Sequence, residues 1–596
     1  MTTKTTMMTE DNEQDKDGEQ VSINQVREAV KMTTLKHTKD GEIEKIKCGS
    51  LDATATAMTR RHKQVVGIGG MVATAFPSAT EAAIEILRVG GNAIDAAVAA
   101  AWALAVCEPS GSGLGGQTTL LIRFANGKTL VVDGYSRAPA AVSTKRVSRK
   151  QQQKGYRACT IPSTPATLEH AQKRYGALSR AKVMQPAISL AQDGYAITKL
   201  QHRQINWCLR DLRASSATGK LFLNKGRPYR VGEILRQNEL AATLHRLADL
   251  GAEDFYQGQI ARAIVEDMAR NGGLITEKDL SDYKVPVERD ALTVRYRDYQ
   301  VVGIPPPGGG LQVLLGLKII ERLAPEDFVW EPDRWYEILA EVTHAVFHER
   351  DRFAIHPRDL TPSLLSWLLS NERASEIAQQ VRINCSDNAG EGNAEESGQT
   401  THVCTVDGSG NAVALTQSIQ SLFGAKVANG QLGFLYNNYL CTCKRRHHPY
   451  RLSSGCIPRS NIAPTLVLRN GWCGEAIPGG DMGRVREPFL VLGAAGSRRI
   501  TSAILHVITG VIDRGMSLEE AVSLPRIHAS LRRKVHIERP AVAEPLLRQL
   551  EKRFREIMIR APHSYSMGGV QAIQFGNDRT FVGVADPRRD GTAAGL

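Results

Sequence analysis

Gly398-Gln399-Thr400-Thr401-His402-Val403 is where the chain changes character. Upstream, Cys385 to Gln399 is made of Ser, Asp, Asn, Gly, Ala and Glu with almost nothing to bury, and reads as an exposed linker. Downstream, His402 to Val406, Ala412 to Gln417 and Phe434 to Asn437 have the pattern of strands. Two threonines thus open a strand directly after a polar, acidic segment. Threonine favours strands, so Thr400 can be a strand-edge residue with no chemistry. A cut before Thr400 would give it a second role. Its new α-amine, with a pKa of about 7.7–8.0, could take the proton of its own hydroxyl, so that one residue supplies both nucleophile and base.

Either side of this junction the chain is organised as layers. Residues 1–64 are polar and charged and predict a mobile extension. Order is expected from Val65, with Gly67 to Ala75 a glycine-hinged strand and Thr80 to Val89 a helix stopped at Gly90-Gly91. Asn92 with Asp95 predicts a capping box for a helix whose apolar positions run from Ile94 to Ala105. Thr118 to Phe124 and Thr129 to Asp133 read as strands joined at Asn126-Gly127. The middle, about Pro162 to Ala374, reads as mostly helical, including Leu168 to Tyr175, Met184 to Gln192, Leu240 to Leu250 and Gln312 to Leu323. Pro464 to Arg469 and Val570 to Phe575 are further strands, Ile500 to Val511 is a helix, and Ser517 to Glu520 is a second capping box. Strands and helices in this order argue for a layered α/β body rather than a doubly wound βαβ one.

Composition narrows the function classes. The 596 residues exceed one ordinary core of roughly 250–300 residues, so several domains or one large body with extensions is implied. Hydrophobic residues are 42% and charged ones 23%, which excludes wholesale disorder. The net charge of +13 is dilute over this length, and Lys444-Arg445-Arg446 and Arg532-Arg533-Lys534 lack interleaved aromatics, so no nucleic-acid partner is expected. Of the 10 cysteines only Cys441 and Cys443 are close, with His447 and His448 nearby, so free thiols are favoured over a metal site and no cofactor is called for. Met1 to Asp40 has no apolar h-region, and Ala93 to Val106 is too short to span a bilayer. The expectation is a cytoplasmic chain with no membrane partner. Gly111-Ser112-Gly113-Leu114-Gly115-Gly116 fits G-x-G-x-x-G but follows a helix and opens a strand, the reverse of a dinucleotide site. Its glycines are expected to let backbone pack tightly beside a site or core.

Thr400-Thr401-His402 followed by Asp407 to Val413 resembles the start of the small subunit of γ-glutamyltransferases. Gly90 to Val98, Glu108-Pro109, Gly113 to Gly116, Pro305-Pro306-Pro307, Gly433 to Asn438, Pro464-Thr465 and Asp586 to Gly591 match in the family's order. The resemblance implies an α+β fold, a four-layer αββα sandwich of the N-terminal-nucleophile hydrolase type. It implies self-cleavage between Gln399 and Thr400 into portions 65–399 and 400–596, held together as a heterodimer. Thr400 would attack an amide of a small-molecule substrate, glutathione or another γ-glutamyl compound among them, and water or an amine would resolve the acyl-enzyme.

Residue by residue, Gly496 and Ser497 fall where the family has its oxyanion-loop glycines, and Ser418 where it has a second threonine beside the nucleophile. The substrate pocket departs more. Asp133-Gly134 is followed by Tyr135 instead of the family's arginine, with Arg137 on the same face of an extended segment. Gln420 replaces an asparagine, Ser460-Asn461 replace a serine pair, and Asn438-Tyr439 lead into a stretch that lacks the family's acid. The amide-cleaving machinery is therefore expected to persist while γ-glutamyl specificity is open. The alternatives are a relative acting on a different acyl amide, or a non-catalytic relative.

Overall fold

The computed structural model describes residues 63–283, 286–325, 330–383, 398–470 and 486–596. The expected N-terminal extension up to residue 62 and most of the linker before Gly398 lie outside them. Two seven-stranded sheets form the centre. The first runs Thr592–Gly595, Gly70–Thr74, Gly398–Asp407, Ala412–Ser421, Gln117–Arg123, Thr129–Gly134, Val287–Arg289. The second runs Gln64–Gly67, Phe581–Ala585, Gly569–Phe575, Arg486–Ala495, Thr465–Asn470, Tyr299–Gly303, Leu292–Tyr296. Every neighbouring pair in both sheets is antiparallel.

Strand periodicity sorts side chains to two faces. Cys404, Val406, Ala412 and Ala414 meet Leu466, Val491 and Ile573 between the sheets. Val403, Val413 and Leu415 turn outward onto helices Pro77–Arg88 and Ala93–Cys107. On the other outer face, helices Gly310–Leu323, Pro332–Arg352 and Arg499–Ile512 cover the second sheet. This is the αββα sandwich. Helix Ala93–Cys107 is buried all round, and its alanines allow the close approach that position demands. The Asn92–Asp95 and Ser517–Glu520 capping boxes are both formed.

Two expectations are corrected. Gly67 to Ala75 is two strands, not one: Gln64–Gly67 pairs in the second sheet and Gly70–Thr74 in the first. A Cβ on Gly67 would lie 2.9 Å from Gly595 Cα, so glycine is required where the chain changes sheets. The middle is mostly helical, as expected, and it also supplies the edge strands Val287–Arg289 and Leu292–Tyr296, with Tyr299–Gly303 paired beside the latter. Phe434 to Asn437 yields only the short strand Phe434–Leu435, since Asn437 turns inward to bond Gly115 O and Thr160 O.

Candidate active site

Strand Gly398–Asp407 lies between Gly70–Thr74 and Ala412–Ser421, and its register against the latter shifts between Gln399 and Thr401. A bulge of this kind re-aims one side chain. At the shift, Thr400 Oγ1 donates to Ser418 Oγ at 3.3 Å. Ser418 Oγ in turn donates to the Gln399 carbonyl at 2.7 Å and accepts from Gln420 N–H at 2.9 Å. One donor and two acceptor positions are thereby filled, the full capacity of a hydroxyl. Thr400 is only 5% exposed. The nucleophile candidate, the carbonyl on its N-terminal side and Ser418 thus form one hydrogen-bonded group.

The glycines of Gly111 to Gly116 wrap this group as expected. A Cβ on Gly116 would sit 2.4 Å from Ser418 O, and one on Gly115 2.1 Å from Leu435 O. On the opposite side, strand Arg486–Ala495 ends in Gly496 and Ser497, with φ of 125° and 56°, before helix Arg499–Ile512 begins. A Cβ on Gly398 would lie 2.8 Å from Ser497 Cβ, so this loop abuts the segment that leads into Thr400. Asn461 Nδ2 donates to Ser497 Oγ at 3.4 Å. Arg350, from helix Pro332–Arg352, donates to Asn461 Oδ1, to the Ser460 carbonyl and to the Pro307 carbonyl. Arg350 therefore positions the Ser460–Asn461 pair, and nothing local in the sequence marks it out.

Beneath Gln399 and Thr401 lies a second, buried polar group that the sequence also does not mark. Tyr565 donates its hydroxyl to Gln399 Oε1, and Gln204 Nε2 donates to Tyr565 at 2.7 Å. The Arg589 guanidinium lies 3.5 Å from the centre of the Tyr565 ring. Glu108, just past helix Ala93–Cys107, faces Thr401, Arg589 and Asp590. Burial pushes its carboxyl up to about 7, against the pull of Thr401 and Arg589. His402, between the sheets, is held neutral by burial, down to about 3, and its Nδ1 meets Thr416 Oγ1 at 2.8 Å.

The expected substrate residues divide. Tyr439, on the turn Tyr439–Thr442, is fully buried and lies beside Ser418, Ser460 and Gln117, which brings it to the nucleophile group. Burial raises its phenol. Tyr135 is buried next to Tyr439, whereas Arg137 is exposed. Tyr135 and Arg137 do share a face: both line a cavity with Asp133, Tyr283, Arg289 and Arg358. Asp133 is paired with Arg289 at 2.8 Å. The two tyrosines link this basic cavity to Ser418. Gln420 holds a left-handed φ of 81° opposite Gln399. Asn438 turns its amide to protein: Nδ2 donates to Gln153 O and Ser421 Oγ, and Oδ1 accepts from Ser421 N–H. Its backbone N–H donates to Ile419 O, so it ties this turn to the strand that carries Ser418.

A buried threonine at a bulge near the start of a central strand of an αββα sandwich is the arrangement of an N-terminal-nucleophile hydrolase. The chain belongs to the family described as Gamma-glutamyltranspeptidase, whose model matches residues 79–596. It is 32% identical over 545 residues to the glutathione hydrolase proenzyme of Escherichia coli (strain K12), covering 87% of this chain and 90% of that protein. It is also 32% identical over 558 residues to the acylase ACY 1 proenzyme of Pseudomonas sp. (strain V22), covering 90% and 95%. The crystal structure of cephalosporin acylase from Bacillus halodurans superposes with a TM-score of 0.79 at 28% identity, over 92% of this chain and 99% of that one. The non-catalytic alternative gives way to an enzyme of this family. Among the described residues no helix is long and apolar enough to cross a membrane.

Proposed function

We propose that the protein cuts itself between Gln399 and Thr400 and then, as two associated fragments, cleaves acyl amides with Thr400 as nucleophile. The observation that carries this is the hydrogen-bonded group of Thr400 Oγ1, Ser418 Oγ and the Gln399 carbonyl. In the precursor, Thr400 Oγ adds to the Gln399 carbonyl carbon, and the peptide nitrogen leaves as the new α-amine. Water then hydrolyses the resulting ester. In the mature enzyme the α-amine takes the Thr400 hydroxyl proton as the oxygen attacks a substrate carbonyl, and passes that proton to the departing amine. Backbone N–H groups at Gly496 and Ser497 are the proposed donors to the oxyanion, next to the N-terminus of helix Arg499–Ile512. Water or an amine acceptor releases the acyl group.

Denaturing electrophoresis with N-terminal sequencing tests the cut: two fragments are expected, the smaller beginning Thr-Thr-His-Val. A single intact chain would overturn the reading.

For the acyl donor, family membership supports a γ-glutamyl compound such as glutathione. A second reading is favoured by Tyr439, whose ring lies beside Ser418 and Ser460, close to where a zwitterionic glutamyl head would need charged partners. An unpaired charge in such a place costs several kcal/mol as an order of magnitude. On that reading the donor is an acyl amide without an α-amino acid head, the kind of substrate that the names of the acylase relatives suggest. Turnover of γ-glutamyl-p-nitroanilide with and without a dipeptide acceptor separates the two. The cytoplasmic location expected from the N-terminal composition belongs to this proposal and is tested by cell fractionation.

A further inference from the structure

Next to the candidate site two cysteines face each other. Cys443 Sγ and Cys456 Sγ are 3.7 Å apart, and both side chains are buried. They sit in a small apolar cluster with Ala138, Val142, Val147, Leu440 and Leu452. The chain between them folds back on itself, with Lys444 N–H donating to Tyr450 O and Leu452 N–H to Lys444 O. Cys443 closes the turn that carries Tyr439. The Cys456 carbonyl accepts from Ala138 N–H, next to Arg137, and Ile457 lines the Arg137 cavity. A few residues on are Ser460 and Asn461.

We propose that Cys443 and Cys456 are a disulfide-forming pair, a modification site that staples the Tyr439 turn to the segment leading to Ser460 and Asn461. The thiols already lie in contact, so a bond of about 2.05 Å needs only a local approach within a loop that is folded back. The hydrogen bond from Cys443 lowers the Cys456 thiol, which favours it as the attacking thiolate. The oxidant is a small-molecule disulfide. Cys456 thiolate attacks one of its sulfurs, forming a mixed disulfide and releasing one thiol. Cys443 then loses its proton, attacks Cys456 Sγ and displaces the second thiol. Two protein thiols are oxidised and one disulfide is reduced to two thiols. In a reducing compartment the pair rests as dithiol, and the ambient redox poise decides how often it closes.

The loop supplies its own assay, because Lys444, Arg445, Arg446 and Arg451 are tryptic sites between the two cysteines. Native full-length protein is incubated with oxidised glutathione, alkylated in denaturant and digested with trypsin without reductant. The expected result is one cross-linked species joining the peptide that ends at Lys444 to the peptide Leu452–Arg459, separated by dithiothreitol. Cys441→Ser leaves that species in place and Cys443→Ser removes it. Full alkylation of both Cys443 and Cys456 after the oxidant, or a link that survives Cys443→Ser and is lost in Cys441→Ser, overturns the proposal.

Discussion

The two ends of the candidate site are built differently. At the nucleophile end, short hydroxyls and backbone do the work: Thr400, Ser418, the Gln399 carbonyl and the Gly496–Ser497 turn, enclosed by glycines that a single methyl group would push apart. At the acyl end, large side chains from distant segments fill the space: Tyr439 beside Ser418 and Ser460, Tyr135 behind it, and Arg137 out in a basic cavity. Bond cleavage needs fixed geometry around one atom, which tolerates little variation. Substrate choice needs only a wall of suitable shape and charge, and that wall can be rebuilt without disturbing the cleavage machinery.

The sharpest way to break this comparison is Thr400→Ala. We expect no fragments and a loss of amide turnover of more than about 10³-fold, since no other group replaces an activated nucleophile. Retained turnover in a single-turnover assay would move the chemistry elsewhere. Ser418→Ala comes next. It leaves Thr400 Oγ1 and the Gln399 carbonyl without their shared partner, and a lost buried hydrogen bond of about 1.5–3 kcal/mol slows self-cleavage roughly 10- to 100-fold. Ser418→Thr restores the hydroxyl and most of the rate, followed as fragment appearance over time.

Glu108→Gln probes the buried group under Thr401. The folded carboxyl titrates near 7 and an ordinary one at 4.5. Between those values the folded chain holds a proton that the unfolded chain has lost, so the stability from this group is full at low pH and falls as pH rises to about 7. The full window is worth about 3 kcal/mol at most. Urea melts of the uncut Thr400→Ala chain should show that slope, and adding Glu108→Gln should flatten it. Smallest is Ser497→Gly. A left-handed serine carries strain of about 1 kcal/mol, so glycine should raise stability by up to that amount while fragment formation continues, as read from thermal melts and gels.

Much of this architecture is written locally. The Asn92 and Ser517 capping boxes, the Asn126-Gly127 hairpin and the helices from Leu168 to Leu323 are short-range patterns, and they form as their residues dictate. Strand Arg486–Ala495 was not legible, though it sits at the centre of the second sheet. Its buried half, Leu490 to Ala495, is apolar without alternation because both faces are covered, and such a run does not separate strand from helix. Arg350 and Tyr565 were equally hidden. Arg350 reaches Asn461 across 111 residues of sequence and Tyr565 reaches Gln399 across 166.

The sequence by itself determined the nucleophile candidate, the glycine wrapping around it and the family, because each rests on residues adjacent in the chain. Only the tertiary structure decided which side chains stand around that nucleophile. It set Tyr439 beside Ser418, tied the Asn438 amide to Gln153 and Ser421, left Arg137 exposed, and brought Arg350, Glu108 and Tyr565 to the site. Those contacts join segments far apart in sequence, and packing the four layers is what brings them together.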